Sequence, residues 1–280
     1  MMRWLITGAG GMLGQDLQTV LRASGESDVV AATRADLDIT SGKAVADAVD
    51  GTDVVINAAA WTDVDGAEAA EEAATAINGH GVRNLAEAAG KRLIHISTDY
   101  VFDGAATSPY PEDAARAPLN AYGRGKAVGE EAVLAAGGFV VRTAWLYGEH
   151  GPNFVRTMLR LAAERDTLDV VDDQQGPPTW SYALAQQLVA LARAGAAPGV
   201  YHGTAAGSTT WFGLAQATFA EAGLDPSRVR PTTSDRFVRP APRPSYSVLG
   251  HARWAGSGVT PLPDWRTSLS EAMPALLKQG

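Results

Sequence analysis

Short apolar runs punctuate the first half of the chain at Met2–Ile6, Val29–Thr33, Val54–Asn57, Leu93–Ser97 and Phe139–Arg142. Each is continuous rather than alternating and ends in turn residues, the pattern of strands buried on both faces. Between them the apolar positions fall at helical spacing over Met12–Ala23, Lys43–Val49, Ala67–Ala89 (with a break expected near Gly79) and Ala121–Ala135. Strand–helix alternation of this kind predicts a parallel sheet with helices on both faces, a doubly wound α/β unit over residues 1–150. After residue 150 the texture changes. Asn153–Glu164, Ser181–Ala194, Thr210–Ala222 and Thr267–Leu277 read as helices and Leu168–Val171 as a strand. The segment "RPTTSDRFVRPAPRPSYS" reads as loop. Residues 151–280 are expected to form a smaller C-terminal lobe, predominantly substrate-binding, whose elements interleave with the first unit.

Composition narrows the class. Apolar residues make up 46% of the 280, enough for a substantial core. A formal charge of −8 argues against nucleic acid or an anionic membrane as partner. The absence of Cys removes thiol catalysis and thiolate metal sites and fits a cytoplasmic setting. The five His are scattered, without metal-ligand spacing. The opening "WLITGAGGMLG" is broken too early by glycine to be a signal peptide, and no apolar run approaches the roughly 18 residues of a membrane span.

The stretch "LITGAGGMLGQDL" carries the first candidate chemistry. Gly8, Gly11 and Gly14 recur as G-x-x-G-x-x-G between the first strand and a helix opened by Met12 and Leu13. Glycines there let backbone N–H groups approach a pyrophosphate at a helix N-terminus, the Rossmann arrangement for a dinucleotide. At the end of the second strand, where an acid would hold the ribose 2′-OH of NAD, stands Thr33-Arg34. A guanidinium there suits a 2′-phosphate, so NADPH is the expected cofactor and NADH the alternative. After the third strand, "NAAAWTDVDGAE" supplies Asn57 and the small Ala58, Ala59 and Ala60, which let a cofactor lie close to the backbone.

"NAYGRGKAVGE" places Tyr122 and Lys126 four apart, on one helix face. A nearby ammonium brings a phenol's proton within catalytic reach, and the lysine can also hold a cofactor ribose. The fourth strand, "LIHISTDYVFDG", turns polar where the carboxyl end of a parallel sheet meets ligand, at Ser97, Thr98, Asp99 and Tyr100. The Thr98 hydroxyl is a candidate to hydrogen-bond a carbonyl oxygen that Tyr122 protonates.

With these residues goes a resemblance over nearly the whole chain. "TGAGGMLGQDL", "ADLDIT", "NAAAWTDVDGAE", "HISTDYVFDG", "PLNAYGRGKAVGE", "VRTAWLYGEHGPNFVRTML" and "DDQQGPPTW" together resemble the dTDP-4-dehydrorhamnose reductases, extended short-chain dehydrogenases acting on nucleotide sugars. The resemblance implies Thr98, Tyr122 and Lys126 as the catalytic set. It implies Tyr100 and Trp145 as holders of the sugar nucleotide, with Asn153 and Phe154 as further substrate contacts. It places Asp38 and Ile39 beside the adenine and Arg243 on the diphosphate. Two departures stand out: Tyr246 replaces the Asn of the family's R-P-x-N-S, and Tyr182 stands where metal-bridged dimers of the family carry Glu, although Asp16 fits one such position. The expectation is reduction of the C4 ketone of a dTDP-4-keto-6-deoxy sugar, foremost dTDP-4-dehydrorhamnose to dTDP-L-rhamnose, by a monomer or weak homodimer without a metal. A reductase of a related deoxysugar and a non-catalytic NADP-binding subunit are the alternatives. An epimerase or dehydratase fits less well, since Asp99 is the lone carboxylate beside Thr98.

Overall fold

The computed structural model describes residues 2–278. In chain order, its first half runs β1 (Trp4–Thr7), α1 (Met12–Ala23), β2 (Val29–Ala32), α2 (Gly42–Val49), β3 (Val54–Asn57), α3 (Val64–Ala69), α4 (Glu71–Thr75), a π-helical turn (Ala76–Gly81), α5 (Val82–Ala89), β4 (Leu93–Thr98), α6 (Ala121–Ala135) and β5 (Phe139–Thr143). The second half supplies β6 (Leu146–Tyr147), α7 (Phe154–Glu164), β7 (Leu168–Val171), β8 (Gln175–Gly176), β9 (Thr179–Trp180), α8 (Ser181–Arg193), β10 (Gly199–His202), β11 (Thr209–Thr210), α9 (Trp211–Glu221), β12 (Val229–Thr232) and α10 (Trp265–Leu277).

The central sheet has six parallel strands in the order β10-β5-β4-β3-β1-β2. Its apolar runs are continuous because both faces are covered. Trp4, Ile6, Val54, Ile56 and Val141 point to one core, under α1 and α8. The alternate residues Leu5, Val55, Leu93 and Val140 point to the other, under α2, α5 and α6. The order reverses between β1 and β3, so the ligand crevice opens beyond their carboxyl ends.

Residues beyond 150 enter this unit directly. The sixth strand, β10, pairs with β5, and α8 packs on α1. The remaining lobe gathers α7, α9 and α10 around Leu214, Leu269 and Met273, with β7 and β12 pairing in parallel. Two segments differ from their sequence reading. Val229–Thr232 is a strand although Arg230–Thr232 read as loop. The expected Ala67–Ala89 helix is split: Ala70 leaves helical geometry at φ −139°, and Ala76–Gly81 widens into a π turn. The π turn swings Asn78 inward, where its side chain accepts from Trp61 N at 2.9 Å and donates to Trp61 O at 3.0 Å. The local deformation thus pins the loop that follows β3, in keeping with the habit of π turns of sitting near functional sites.

Candidate active site

The crevice wall is built first by backbone. Gly8 has φ +70°, and a Cβ there would lie 2.5 Å from Ala59 N, so the loops after β1 and β3 touch only because residue 8 is glycine. Gly11 begins α1 without a side-chain cap, which leaves the first-turn N–H groups for an anion. Met12 opens that turn, while the Leu13 side chain belongs to the core. Ala58, Ala59 and Ala60 stay part-exposed opposite the glycines. Past β2 the Asp36 carboxylate folds back on Thr33, accepting from its N at 2.9 Å and its Oγ1 at 2.6 Å. The neighbouring Arg34 is exposed at the crevice edge. Asp38 closes on Thr40, and Ile39 is buried in the core. These residues fit a dinucleotide: a side-chain-free cradle, a helix N-terminus, and a cation at the adenosine end.

Asn57, expected to line the cofactor, is fully buried, and its amide is committed inward. Its Oδ1 accepts from Thr7 Oγ1 at 2.6 Å and Ala59 N at 3.1 Å, and its Nδ2 meets His95 Nδ1 at 2.9 Å.

The catalytic candidates sit where α6 crosses the end of β4. Asn120 caps α6, accepting from Gly123 N at 2.8 Å, and Glu68 accepts from Ala121 N at 2.7 Å. A Cβ on residue 123 would fall 2.1 Å from Tyr100 O, so glycine lets the helix approach the strand end. Tyr122 and Tyr100 then meet edge to face, centroids 6.0 Å apart. Desolvation by the surrounding protein, joined by the Asp99 charge, raises the Tyr122 phenol above its usual value, and the Thr98 hydroxyl opposes this. Lys126 is 2% exposed. It turns from Tyr122 to Ile96 O at 2.6 Å and His95 Nε2 at 3.2 Å. Burial pushes its ammonium down to about 7, with Glu130 opposing. Thr98 Oγ1 donates to Asp99 Oδ1 at 2.9 Å and accepts from Tyr100 N at 3.1 Å. Burial lifts the Asp99 carboxyl to about 6.

Thr98, Asp99, Tyr100, Tyr122 and Trp145 line one cavity of about 230 Å³. Tyr100 also lines an adjoining chamber of about 620 Å³, together with Phe154 and Arg243. Between the two stands Trp211, which the sequence reading missed and which lines both. It stacks on Trp145 at 3.5 Å and 8°, touches Phe154 at 4.7 Å, and donates to Gln174 Oε1 at 3.1 Å. Trp145 holds φ +49°, a strained conformation for a bulky residue that turns its ring onto Gly176. Asp65 of α3 anchors Arg243 at 3.0 Å and Arg239 at 3.3 Å, tying the C-terminal lobe to the first unit at the chamber rim. Asn153 lies apart from this group. It is the cap of α7, accepting from Arg156 N and donating to Gly148 O.

The departures resolve into packing. Tyr246 lies 6.3 Å from Tyr110 and lines neither cavity. Tyr182 rests on Trp180 at 5.3 Å. Asp16 is buried, accepts from Ser181 Oγ at 2.5 Å and has His150 at 3.8 Å. Among the described residues, no group of three or more His, Asp or Glu side chains is close enough to share a metal, and no helix is long and apolar enough to cross a membrane.

Comparison with known proteins agrees with this geometry. The family described as RmlD substrate binding domain matches residues 2–277. A dTDP-4-keto-6-deoxy-D-glucose reductase of Streptomyces niveus is 54% identical, with 98% of this chain and 97% of the relative covered. A dTDP-4-dehydrorhamnose reductase of Streptomyces griseus is 52% identical over 98% and 94%. Among solved structures, a Bacillus anthracis dTDP-4-dehydrorhamnose reductase in complex with NADP superimposes with a TM-score of 0.92 at 38% identity, over 98% of this chain and 99% of that one. A glycine cradle, a Tyr–Lys helix and an aromatic-walled double cavity, found in one chain that matches these proteins end to end, mark it as a member of the dTDP-4-dehydrorhamnose reductase family.

Proposed function

We propose that the chain reduces the C4 ketone of a dTDP-4-keto-6-deoxy sugar with NADPH, foremost dTDP-4-dehydrorhamnose to dTDP-L-rhamnose. The observation that carries this reading is the pair of neighbouring cavities: Tyr122 and Thr98 line a small chamber, which shares Tyr100 and Trp211 as wall residues with a larger one lined by Arg243. The small chamber suits the sugar, and the larger one a nucleotide whose diphosphate pairs with Arg243. Bound in the glycine cradle, NADPH supplies hydride to the ketone carbon. Tyr122 donates the proton to the developing alkoxide. Burial raises the phenol's pKa, which holds its proton in the ground state but weakens it as an acid, so the step depends on stabilisation of the developing phenolate. Trp145 and Trp211 exclude water from the reacting oxygen and fix the sugar ring, so positioning and charge stabilisation carry most of the rate.

Purified protein should oxidise NADPH with a dTDP-4-keto-6-deoxyhexose and not with the corresponding 4-hydroxy sugar. Silence across a panel of such ketones would favour the binding-subunit reading instead. Cofactor choice is assigned to Arg34. Arg34→Ala should weaken NADPH by about fivefold and leave NADH nearly unchanged, as expected for an exposed charge-assisted contact of roughly 1 kcal/mol. Equal losses in titrations of the two cofactors would remove Arg34 from that role. We further assign a cytoplasmic monomer or weak homodimer without a bridging metal, motivated by Tyr182 in place of a carboxylate and by Asp16 being engaged with Ser181. Sedimentation velocity should give the same mass with and without EDTA, and an EDTA-dependent fall would overturn the metal-free assignment.

A further inference from the structure

A sugar nucleotide that spans both chambers lays its diphosphate at their junction, which is marked by Tyr100 and Trp211, the residues that line both. Arg243 stands there, its guanidinium carbon 5.9 Å from the centre of the Tyr100 ring. The protein already engages this arginine. Its Nη2 lies 3.0 Å from Asp65 Oδ1, and its Nη1 donates to Ala241 O at 3.0 Å. A guanidinium paired with a carboxylate brings no net charge, whereas a diphosphate carries a negative charge on each phosphate. A second cation is needed, and Asp65 holds one. Its other oxygen, Oδ2, lies 3.3 Å from Arg239 Nε. We propose that Arg239 is a second diphosphate-binding residue, set beside Arg243 by their shared contact with Asp65, and that it gives the rim its net positive charge. The proposal rests on the reading of the chain as a nucleotide-sugar reductase.

The surroundings support the assignment. Three arginines, Arg165, Arg239 and Arg243, line the larger chamber against one acid, Asp169, in a chain whose formal charge is −8. A local excess of cations against the sign of the whole molecule is what an anion site requires. Arg239 also ends a strap that is held at both ends. At its start Asp173 accepts from Ser234 N at 2.9 Å and from Ser234 Oγ at 2.6 Å. At its finish stands the contact with Asp65, and Phe237 between them lines the chamber. A guanidinium pinned in this way meets a ligand at little ordering cost. Its side chain remains 63% exposed, so a diphosphate reaches it without moving the core.

The test titrates the NADPH-loaded protein calorimetrically with two ligands that offer no ketone, thymidine and dTDP. The wild type should bind dTDP more tightly than thymidine, the difference being the phosphates. Arg239→Gln should weaken dTDP by about fivefold, as for an exposed charge pair of roughly 1 kcal/mol, and leave thymidine within about twofold. The thymidine affinity serves as the check that the variant is folded. The loss on dTDP should shrink as salt is raised, because an exposed ion pair is screened. An Arg239→Gln protein that binds dTDP as the wild type does would overturn the proposal. So would equal losses for the two ligands, which would place Arg239 in the wall around the base. A wild type that gains nothing from the phosphates would instead take the diphosphate out of the chamber, and the nucleotide-sugar reading would fall with it. The reductase assay stands apart: a chain that loses dTDP affinity with Arg239 yet reduces no ketone would keep this site and lose the reaction.

Discussion

Tyr122→Phe is expected to lower kcat by about 10²–10⁴ while leaving NADPH affinity within about twofold, the range for loss of a general acid. The hydroxyl lies in the reacting cavity, beside Thr98, and removing it deletes one oxygen from a ring that keeps its edge-to-face contact with Tyr100 at 6.0 Å. The change therefore acts on the developing alkoxide and not on the pocket's shape. An interaction made only in the transition state lowers kcat and kcat/KM together, and that equality is the signature to seek. A solvent isotope effect that vanishes in the variant would show that the lost proton was the one in flight. Retention of more than a tenth of wild-type turnover, under conditions where chemistry limits the rate, would take Tyr122 out of the acid's role. The pH profile adds a second check. The acidic group nearest the reacting site is the Asp99 carboxyl, lifted to about 6 by burial. Its ionisation places a charge beside Tyr122, so turnover should show an inflection near pH 6 that disappears in Asp99→Asn, and an inflection that survives the substitution would belong to another group.

Much of this was readable from the chain because the sheet is buried on both faces. Continuous apolar runs bounded by turn residues located β2 to β5 to within a residue and β1 to within two. The sheet's sixth strand, Gly199–His202, went unread because it carries a glycine and a histidine and owes its place to pairing with β5. Tertiary pairing of that kind has no local signature. In Ala67–Ala89 the break expected near Gly79 is the π turn Ala76–Gly81, where Asn78 is buried against Trp61, while the earlier break at Ala70 went unread. Function was legible where backbone chemistry demanded particular residues, as at Gly8, and where spacing did, as at Tyr122 and Lys126. Asn57 and Asn153 misled because an Asn next to a site reads the same whether it faces ligand or holds the scaffold. His95 had a signal that could have been used. His95 and Ser97 lie two apart on a strand, roughly 6.7 Å, and Lys126 and Glu130 four apart on a helix, roughly 6.0 Å, so the two polar pairs fall into register when α6 lies along β4. The structure joins them, His95 to Lys126 and Ser97 to Glu130. Trp211 had no such signal, because only the fold carries α9 to the cavity wall.

The lower of those two rungs should be the costliest place to cut the scaffold. Glu130 is fully buried. It accepts from Arg142 Nε at 2.9 Å and Nη2 at 2.8 Å, and from Ser97 Oγ at 2.6 Å, with Arg116 3.6 Å away. Arg142 is 2% exposed, with its guanidinium 4.8 Å from the centre of the Phe102 ring and no bulk water to take over its charge. Glu130→Ala leaves that charge stranded and empties a side-chain volume. The expected loss is about 3–5 kcal/mol of unfolding free energy, read as a fall in the denaturation midpoint at unchanged slope. The pair is not thereby shown to be a large net stabiliser. The cost comes from breaking it, since desolvation of both ions offsets most of their attraction. Replacing both partners, as Glu130→Leu with Arg142→Met, should recover much of the single-variant loss, and the double-mutant cycle should give a coupling of roughly 2 kcal/mol or more. Glu130→Gln, which keeps the shape and one acceptor, should fall between. A loss under about 1 kcal/mol for Glu130→Ala would mean that water reaches Arg142 once the carboxylate is gone. The ends of β4 and β5, and Thr98 with them, would then be held by packing alone, without help from the ion pair beneath them.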